Sequence, residues 1–189
     1  SYQTPSGGFA NWPGQNYADD WSSSYVGHFL LEADKKGYVL PLGFKSSWVN
    51  YQQDIARQWR SGTGYSDLAQ AYRLYTLALS GNADIASMNR LRETTNLSNE
   101  GKFRLAAAYG LVGQKSVAQQ IIKSANYDFS EGKYEYQTYG SSDRNRAMAL
   151  ETFVLLNDKV KAQEMARNLA QRLSSDQWMS TQSTAYCLL

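Results

Sequence analysis

A chain of 189 residues with 42% hydrophobic content can bury a sizeable core and is about the length of one domain. Its net charge is only +2, and its nineteen Lys and Arg are scattered apart from short pairs such as Lys35 and Lys36, so no phosphate-tracking stripe exists and nucleic acid is not an expected partner. No apolar run reaches the roughly 18 to 20 residues that span a bilayer, and no charged-then-apolar export signal opens the chain, so direct membrane insertion by this domain is not expected.

Residues 1–20 are rich in Gly, Asn and Pro with interspersed aromatics, which reads as an ordered loop whose rings need somewhere to pack. A first apolar helix follows over about 21–36, with Tyr25, Phe29 and Leu30 on one face, Ser22 to Ser24 as candidate N-caps and Gly37 as its stop. Pro41 opens a second helix over about 42–60, whose Phe44, Trp48, Tyr51 or Gln52, Ile55 and Trp59 recur at spacings of three and four while Lys45, Asp54, Arg57 and Arg60 face away. Ser66 or Asp67 then caps a helix that is apolar around most of its girdle, through Leu68, Ala71, Tyr72, Leu74, Tyr75, Ala78 and Leu79.

The contrast repeats along the chain. Residues 83–94 are polar with one stripe of Ile85, Met88 and Leu91, whereas 103–112 are nearly all Ala, Leu and Tyr. Residues 116–124 and 160–173 read as striped helices, and 143–156 and 180–189 as broadly apolar ones. The alternating segment Lys133–Tyr139 is the best strand candidate and forms a short hairpin at most.

Apolar stretches thus begin near Trp21, Ser66, Glu100, Ser142 and Ser180, a spacing that points to stacked helical hairpins. Helices with broad apolar girdles are buried on two sides and striped ones on one, so two layers follow. The expected fold is all-α: a partial α/α toroid of about five helical hairpins, with inner apolar and outer amphipathic helices, forming one domain over 1–189. The long aromatic and Gly-containing loops, 1–20 and 126–141, favour the toroid over an open solenoid because they can cap one end of a barrel. The chain opens inside a turn-like segment and stops inside an apolar helix, which reads as a fragment of a longer multi-domain protein.

Three segments carry a resemblance. QTPSGGFANWPG, leading after a gap into WSSSYVGHFLLEADKKGYVLP, then YGSSDRNRAMALETFVLL, then WMSTQSTAYCLL, in this order, resemble the thioester-domain region of the bacterial α2-macroglobulin family. The residues that carry it are Gln3, Gly7, Gly8, Phe9, Trp12, Trp21, Tyr25, Tyr139, Gly140, Ser141, Asp143, Arg144, Ser180, Thr181, Gln182 and Tyr186. Their implied role is structural rather than catalytic. The resemblance implies an α/α toroid within a large periplasmic or cell-envelope protein, its parent possibly lipid-anchored, that inhibits endopeptidases by trapping them. Its implied partners are neighbouring domains of the parent and, through the parent, proteases.

Family members with a working trap form an internal thioester from a Cys-x-Glu-Gln segment, and this chain has none. Its only cysteine lies in Tyr186-Cys187-Leu188-Leu189, in the stretch matching the family's Ser-Thr-Gln-x-x-Ala-Tyr. A histidine that directs acyl transfer in related complement proteins is also missing from the matching loop, Ser61-Gly62-Thr63-Gly64-Tyr65. If the parent holds a thioester, that gap suggests transfer preferentially to amines.

Other readings of the same residues compete. The Gln3 to Trp12 motif reads as a turn that braces the fold, with a carbohydrate-stacking surface as the sharper alternative, since exposed rings suit sugar faces. Asp19-Asp20 invites comparison with terpene cyclases, but no second acidic pair appears and carboxylates suit a helix start. One His and one Cys do not make a zinc site, no cofactor is expected, and His28 and Cys187 read as packed side chains. Tyr139, Asp143 and Arg144 are where a carbohydrate-active toroid enzyme, a lyase or glycosidase, would have to work. A peptide-binding helical-repeat scaffold is a third reading. The one favoured is a non-catalytic scaffold or interaction domain, not an enzyme.

Overall fold

The computed structural model describes residues 1–62, 66–127, 129 and 138–189. Among them the chain is all-α, with helices α1 (Asp20–Lys35), α2 (Phe44–Gln58), α3 (Asp67–Leu79), α4 (Ile85–Arg92), α5 (Asn99–Leu111), α6 (Lys115–Lys123), α7 (Ser142–Leu155), α8 (Lys159–Leu173) and α9 (Thr181–Leu188). The described residues hold no strand, only an isolated antiparallel bridge between Gln3 and Phe9. Most of the strand candidate Lys133–Tyr139 lies outside the described residues, and its last two, Thr138 and Tyr139, form a turn.

Contacts divide the chain into two compact units, Ser1–Asn96 and Leu97–Leu189. In the first, α3 packs against α1, α2 and α4. It is buried from Leu68 to Ala78 except at Ala69, its polar Gln70, Arg73 and Thr76 included. In the second, α7 packs against α5, α8 and α9, and α6 packs on α5. There α5 is buried from Phe103 to Tyr109, while α8 buries only Met165 and Leu169. The helices read as broadly apolar, α3, α5 and α7, bury many residues and the striped α4, α6 and α8 few, as the sequence pattern requires. The last helix corrects the pattern: α9, expected to be broadly apolar and inner, buries only Ser183 and Tyr186 and leaves Leu188 71% exposed.

Helix starts follow elementary capping. Asp19, Ser66, Asp84, Ser98, Ser141, Asp158 and Ser180 each accept a hydrogen bond from a backbone N–H three residues on, satisfying a donor that the first turn leaves open. The serines 22 to 24 were candidate caps for α1, and the structure corrects this: Asp19 takes the role, its Oδ1 2.7 Å from Ser22 N.

The face of α1 also differs from expectation. Phe29 is 68% exposed, and the helix instead buries Trp21, Ser23, Ser24, Gly27, His28 and Leu31. The reason is the indole of Trp48, which lies so close over the helix that a Cβ on Gly27 would come within 2.3 Å of the ring. Its Nε1 donates to Ser23 O at 2.8 Å. A stripe of small residues admits this approach, and the larger Phe29 is left facing out.

Candidate functional site

The sequence motif at the start of α7 meets the start of α9. Ser141 caps α7 by accepting from Arg144 N at 3.1 Å, and Ser180 caps α9 by accepting from Ser183 N at 3.2 Å. The Ser183 hydroxyl, buried on the first turn of α9, lies 2.5 Å from Ser141 Oγ and 3.0 Å from Ser180 Oγ. One buried hydroxyl therefore links the caps of both helices. Gly140 is buried beside them, while Tyr139 adopts a left-handed backbone (φ 51°) with its ring about half exposed.

Asp143 and Arg144 diverge from this junction. Asp143 is buried, and its carboxylate accepts from Arg146 Nη1 at 2.9 Å and from Arg172 Nε and Nη2 at 3.0 and 2.9 Å, tying α7 to α8. Arg144 is fully buried and donates to Thr138 O and Oγ1 at 2.6 and 3.0 Å and to Asn145 Oδ1 at 3.1 and 2.8 Å. Asn145 passes the chain on to Glu100 Oε1 at 2.9 Å. The arginine side chain thereby pins the segment before α7 to the start of α5.

This geometry suits bracing and not catalysis. A general base needs a carboxylate reachable by substrate, whereas Asp143 is turned inward and takes three charge-assisted bonds. Arg144 offers nothing to a cleft, so the residues on which the carbohydrate-enzyme reading depends do not converge. A cavity of about 320 Å³ nearby is lined by Tyr127, Phe129, Arg146, Phe153, Lys161 and Glu164, among others. Among the described residues, Glu164 is the one carboxylate in its wall.

The remaining motif residues are placed as follows. Thr181 is exposed, Gln182 half-buried and Tyr186 buried. Cys187 is partly buried, with its thiol 3.8 Å from Asp143 O. Burial, and behind it the Asp143 charge, push that thiol up to about 11. His28 is buried, its Nδ1 3.0 Å from the Tyr72 hydroxyl and its ring edge-on to Tyr75. Among the described residues no group of three or more His, Cys, Asp and Glu gathers as a metal site. The segment Thr63–Tyr65 of the loop compared with complement proteins lies outside the described residues.

At the N-terminus the motif folds as a tight turn. Thr4 N donates to Gly8 O and Gly7 N to Thr4 O, both at 2.9 Å, and Gln3 Nε2 donates to Gly7 O at 3.0 Å. Gly7 has φ +97°, and a Cβ there would meet Ser47 O at 2.2 Å, so the position demands glycine twice over. Gly8 is buried beneath the Tyr51 ring. Phe9 packs 5.9 Å from Phe44, and its N–H donates to Ser23 Oγ at 2.8 Å, so Phe9 fastens the turn to α1 and α2. Trp21 is buried and tilted against Tyr72, with ring centroids 4.9 Å apart, and Tyr25 is half-buried. Trp12 lies outside this packing, 70% exposed.

Sequence reasoning missed the buried arginines on the two apolar helices. Arg73 on α3 donates to Gln52 Oε1 at 3.1 Å and Gln70 Oε1 at 2.6 Å and pairs with Asp20 at 2.8 Å. Arg104 on α5 pairs with Glu151 on α7 and lies beneath the Tyr186 ring. In each unit, an arginine within an apolar helix reaches a part-exposed carboxylate on a helix packed beside it. The one available signal was a lone arginine inside an otherwise apolar run.

No protein-family model matches the chain. Among curated proteins, α2-macroglobulin of Escherichia coli K12 is 25% identical over 197 aligned positions, covering 96% of this chain and 12% of that relative. The chain resembles bacterial α2-macroglobulin along almost its whole length. A crystal structure of the native Escherichia coli protein from domain MG7 to the C-terminus superposes with a TM-score of 0.80 at 21% identity, over 99% of this chain and 32% of that one. The trypsin-activated Escherichia coli α2-macroglobulin gives 0.79 at 20% identity, over 98% and 13%. Salmonella α2-macroglobulin reacted with methylamine gives 0.77 at 22% identity, also over 98% and 13%. The fold of this chain is therefore one that bacterial α2-macroglobulins contain, and the chain spans about an eighth of the curated relative's length.

Proposed function

We propose that this chain is the toroidal, non-catalytic part of an α2-macroglobulin-like endopeptidase inhibitor, holding the shape on which a protease trap is built. The observation that carries the reading is the likeness to bacterial α2-macroglobulin over 96% of the chain by sequence and 99% by fold. On this reading residues 1–189 form one α/α-toroid domain of a longer multi-domain protein, resident in the periplasm or on the cell envelope. The motif residues serve as braces: Gln3, Gly7, Gly8 and Phe9 hold the opening turn, and Ser141, Asp143, Arg144 and Ser180 lock the helix starts. Its partners are neighbouring domains of the parent, and proteases reach it only through them. No described helix is long and apolar enough to cross a membrane.

The test is trapping by the intact parent. Purified parent protein is incubated with trypsin, then digestion of a large protein substrate is measured beside denaturing gels that reveal covalent protease adducts. Suppressed digestion of the large substrate supports the proposal. Undiminished digestion with no adduct overturns it.

A further inference from the structure

The first 18 residues carry no Asp, Glu, Lys or Arg, and their exposed rings belong to none of the bracing just described. Phe9 O accepts from Asp19 N at 2.8 Å, so the chain between them is a closed loop with pinned ends. From it Trp12 and Tyr17 stand out, each 70% exposed. Aromatic side chains are enriched at recognition surfaces, and these two stand on one short loop.

The loop is also held in shape. Gln15 Oε1 accepts from Trp12 N at 3.3 Å, and Gln15 Nε2 donates to the Tyr17 hydroxyl at 2.8 Å. Asn11 Oδ1 accepts from Ser22 Oγ at 2.6 Å, anchoring the near side of the loop to α1. Each of these bonds leaves a hydrogen to spare: the Asn11 amide keeps its NH₂, Tyr17 its hydroxyl proton, and the exposed indole its N–H. The backbone at Trp12 and the hydroxyl end of Tyr17 are thus held on one small loop before any ligand arrives, which lowers the ordering cost of binding.

We propose that this loop is a binding platform for a neutral glycan, with Trp12 and Tyr17 as stacking faces and Asn11 as a polar contact. Pyranose rings present C–H faces that suit the negative face of an aromatic ring, and hydroxyls that accept from neutral donors. Because the loop bears no side-chain charge, it has nothing with which to recognise an acidic or basic partner. The site binds without turnover, since no carboxylate side chain occurs before Asp19 and Asp19 is committed to capping α1. It is independent of the protease-trap reading.

The experiment is calorimetric titration of the full chain with cellohexaose and with chitohexaose, two neutral β-linked hexamers, followed by the same titration of variants. Saturable binding of either sugar is expected, weakened at least about tenfold by Trp12→Ala and by Tyr17→Ala. Trp12→Phe should recover most of the loss by restoring a ring face. Trp178→Ala, at an 86% exposed indole in the second unit, should bind as the unsubstituted chain does. Circular dichroism confirms that each variant is folded, and both platform rings are exposed enough to remove without opening a core. No saturable binding of either hexamer overturns the proposal, as does equal weakening by Trp178→Ala. So does a Trp12→Ala effect confined to self-association or protein binding. None of these results bears on protease trapping, which needs the parent and a protease.

Discussion

Asp143 shows how a residue that reads as catalytic becomes a clasp. Its carboxylate is held by Arg146 and by Nε and Nη2 of Arg172, and all three side chains are at least three-quarters buried. Asp143→Ala removes the acceptor that Arg146 and Arg172 share, and a loss of about 2 kcal/mol is expected, read as a lower urea midpoint. Asp143→Asn should cost less because one oxygen still accepts. Cys187 supports the same view of the junction. Burial and the nearby aspartate raise its thiol to about 11, so at pH 8 almost none is thiolate, and alkylation by iodoacetamide should run far slower than for a free cysteine. The rate should climb only as pH approaches 11; brisk labelling at pH 8 would show the thiol to be more open than this. Neither environment could be read from residue order alone. Asp143 stands beside Arg144 in sequence, yet it pairs with Arg146 and with Arg172 on α8, and only the fold brings the latter near.

At the scale of elements, capping and periodicity were legible because they are local. Ser66 and Ser180, singled out as helix starts, cap α3 and α9, the start read at Ser142 falls one residue past the cap Ser141 of α7, and Gly37 sits just past α1 with φ +87°. The buried face of α1 was not legible, because its apolar residues mark the wrong side. Size complementarity decided it: the Trp48 indole needs the space above Gly27. Gly27→Ala is accordingly expected to destabilise by about 1–3 kcal/mol despite the better helix propensity of alanine, a sign that thermal unfolding can check. Ser183→Ala removes the hydroxyl shared by the caps of α7 and α9 and should cost about 1–2 kcal/mol. Asp84 gives a pH dependence. Burial opposes its charge, but bonds from Ser87 N and the Arg57 guanidinium win and hold its carboxyl below 3.8. A carboxyl with a lowered folded value contributes stability that is complete above the unfolded value and lost as pH falls through the folded one. The stability gap between the chain and Asp84→Asn should therefore be widest above about pH 5 and close toward pH 2.

For the whole molecule, the all-α architecture followed from alternating girdles, while the polar interior did not. Hydrophobic periodicity assigns charge to the surface, yet Arg73, Arg104 and Arg144 are each fully buried, because an arginine flanked by amides, carbonyls or a carboxylate is satisfied without water. These side chains act within the framework. If the trap reading holds, chemistry must come from the parent, and acyl transfer separates the two. The isolated 189-residue chain, incubated with labelled methylamine, should retain no label after denaturation, since its one cysteine is a protonated, partly buried thiol outside any Cys-x-Glu-Gln segment. A parent that carries that segment should retain label. It should also favour methylamine over glycerol, because Ser61–Tyr65 supplies no histidine to assist a hydroxyl nucleophile. Label on the isolated chain would relocate the chemistry to these residues, and equal labelling of the parent by amine and alcohol would remove the missing histidine from the account.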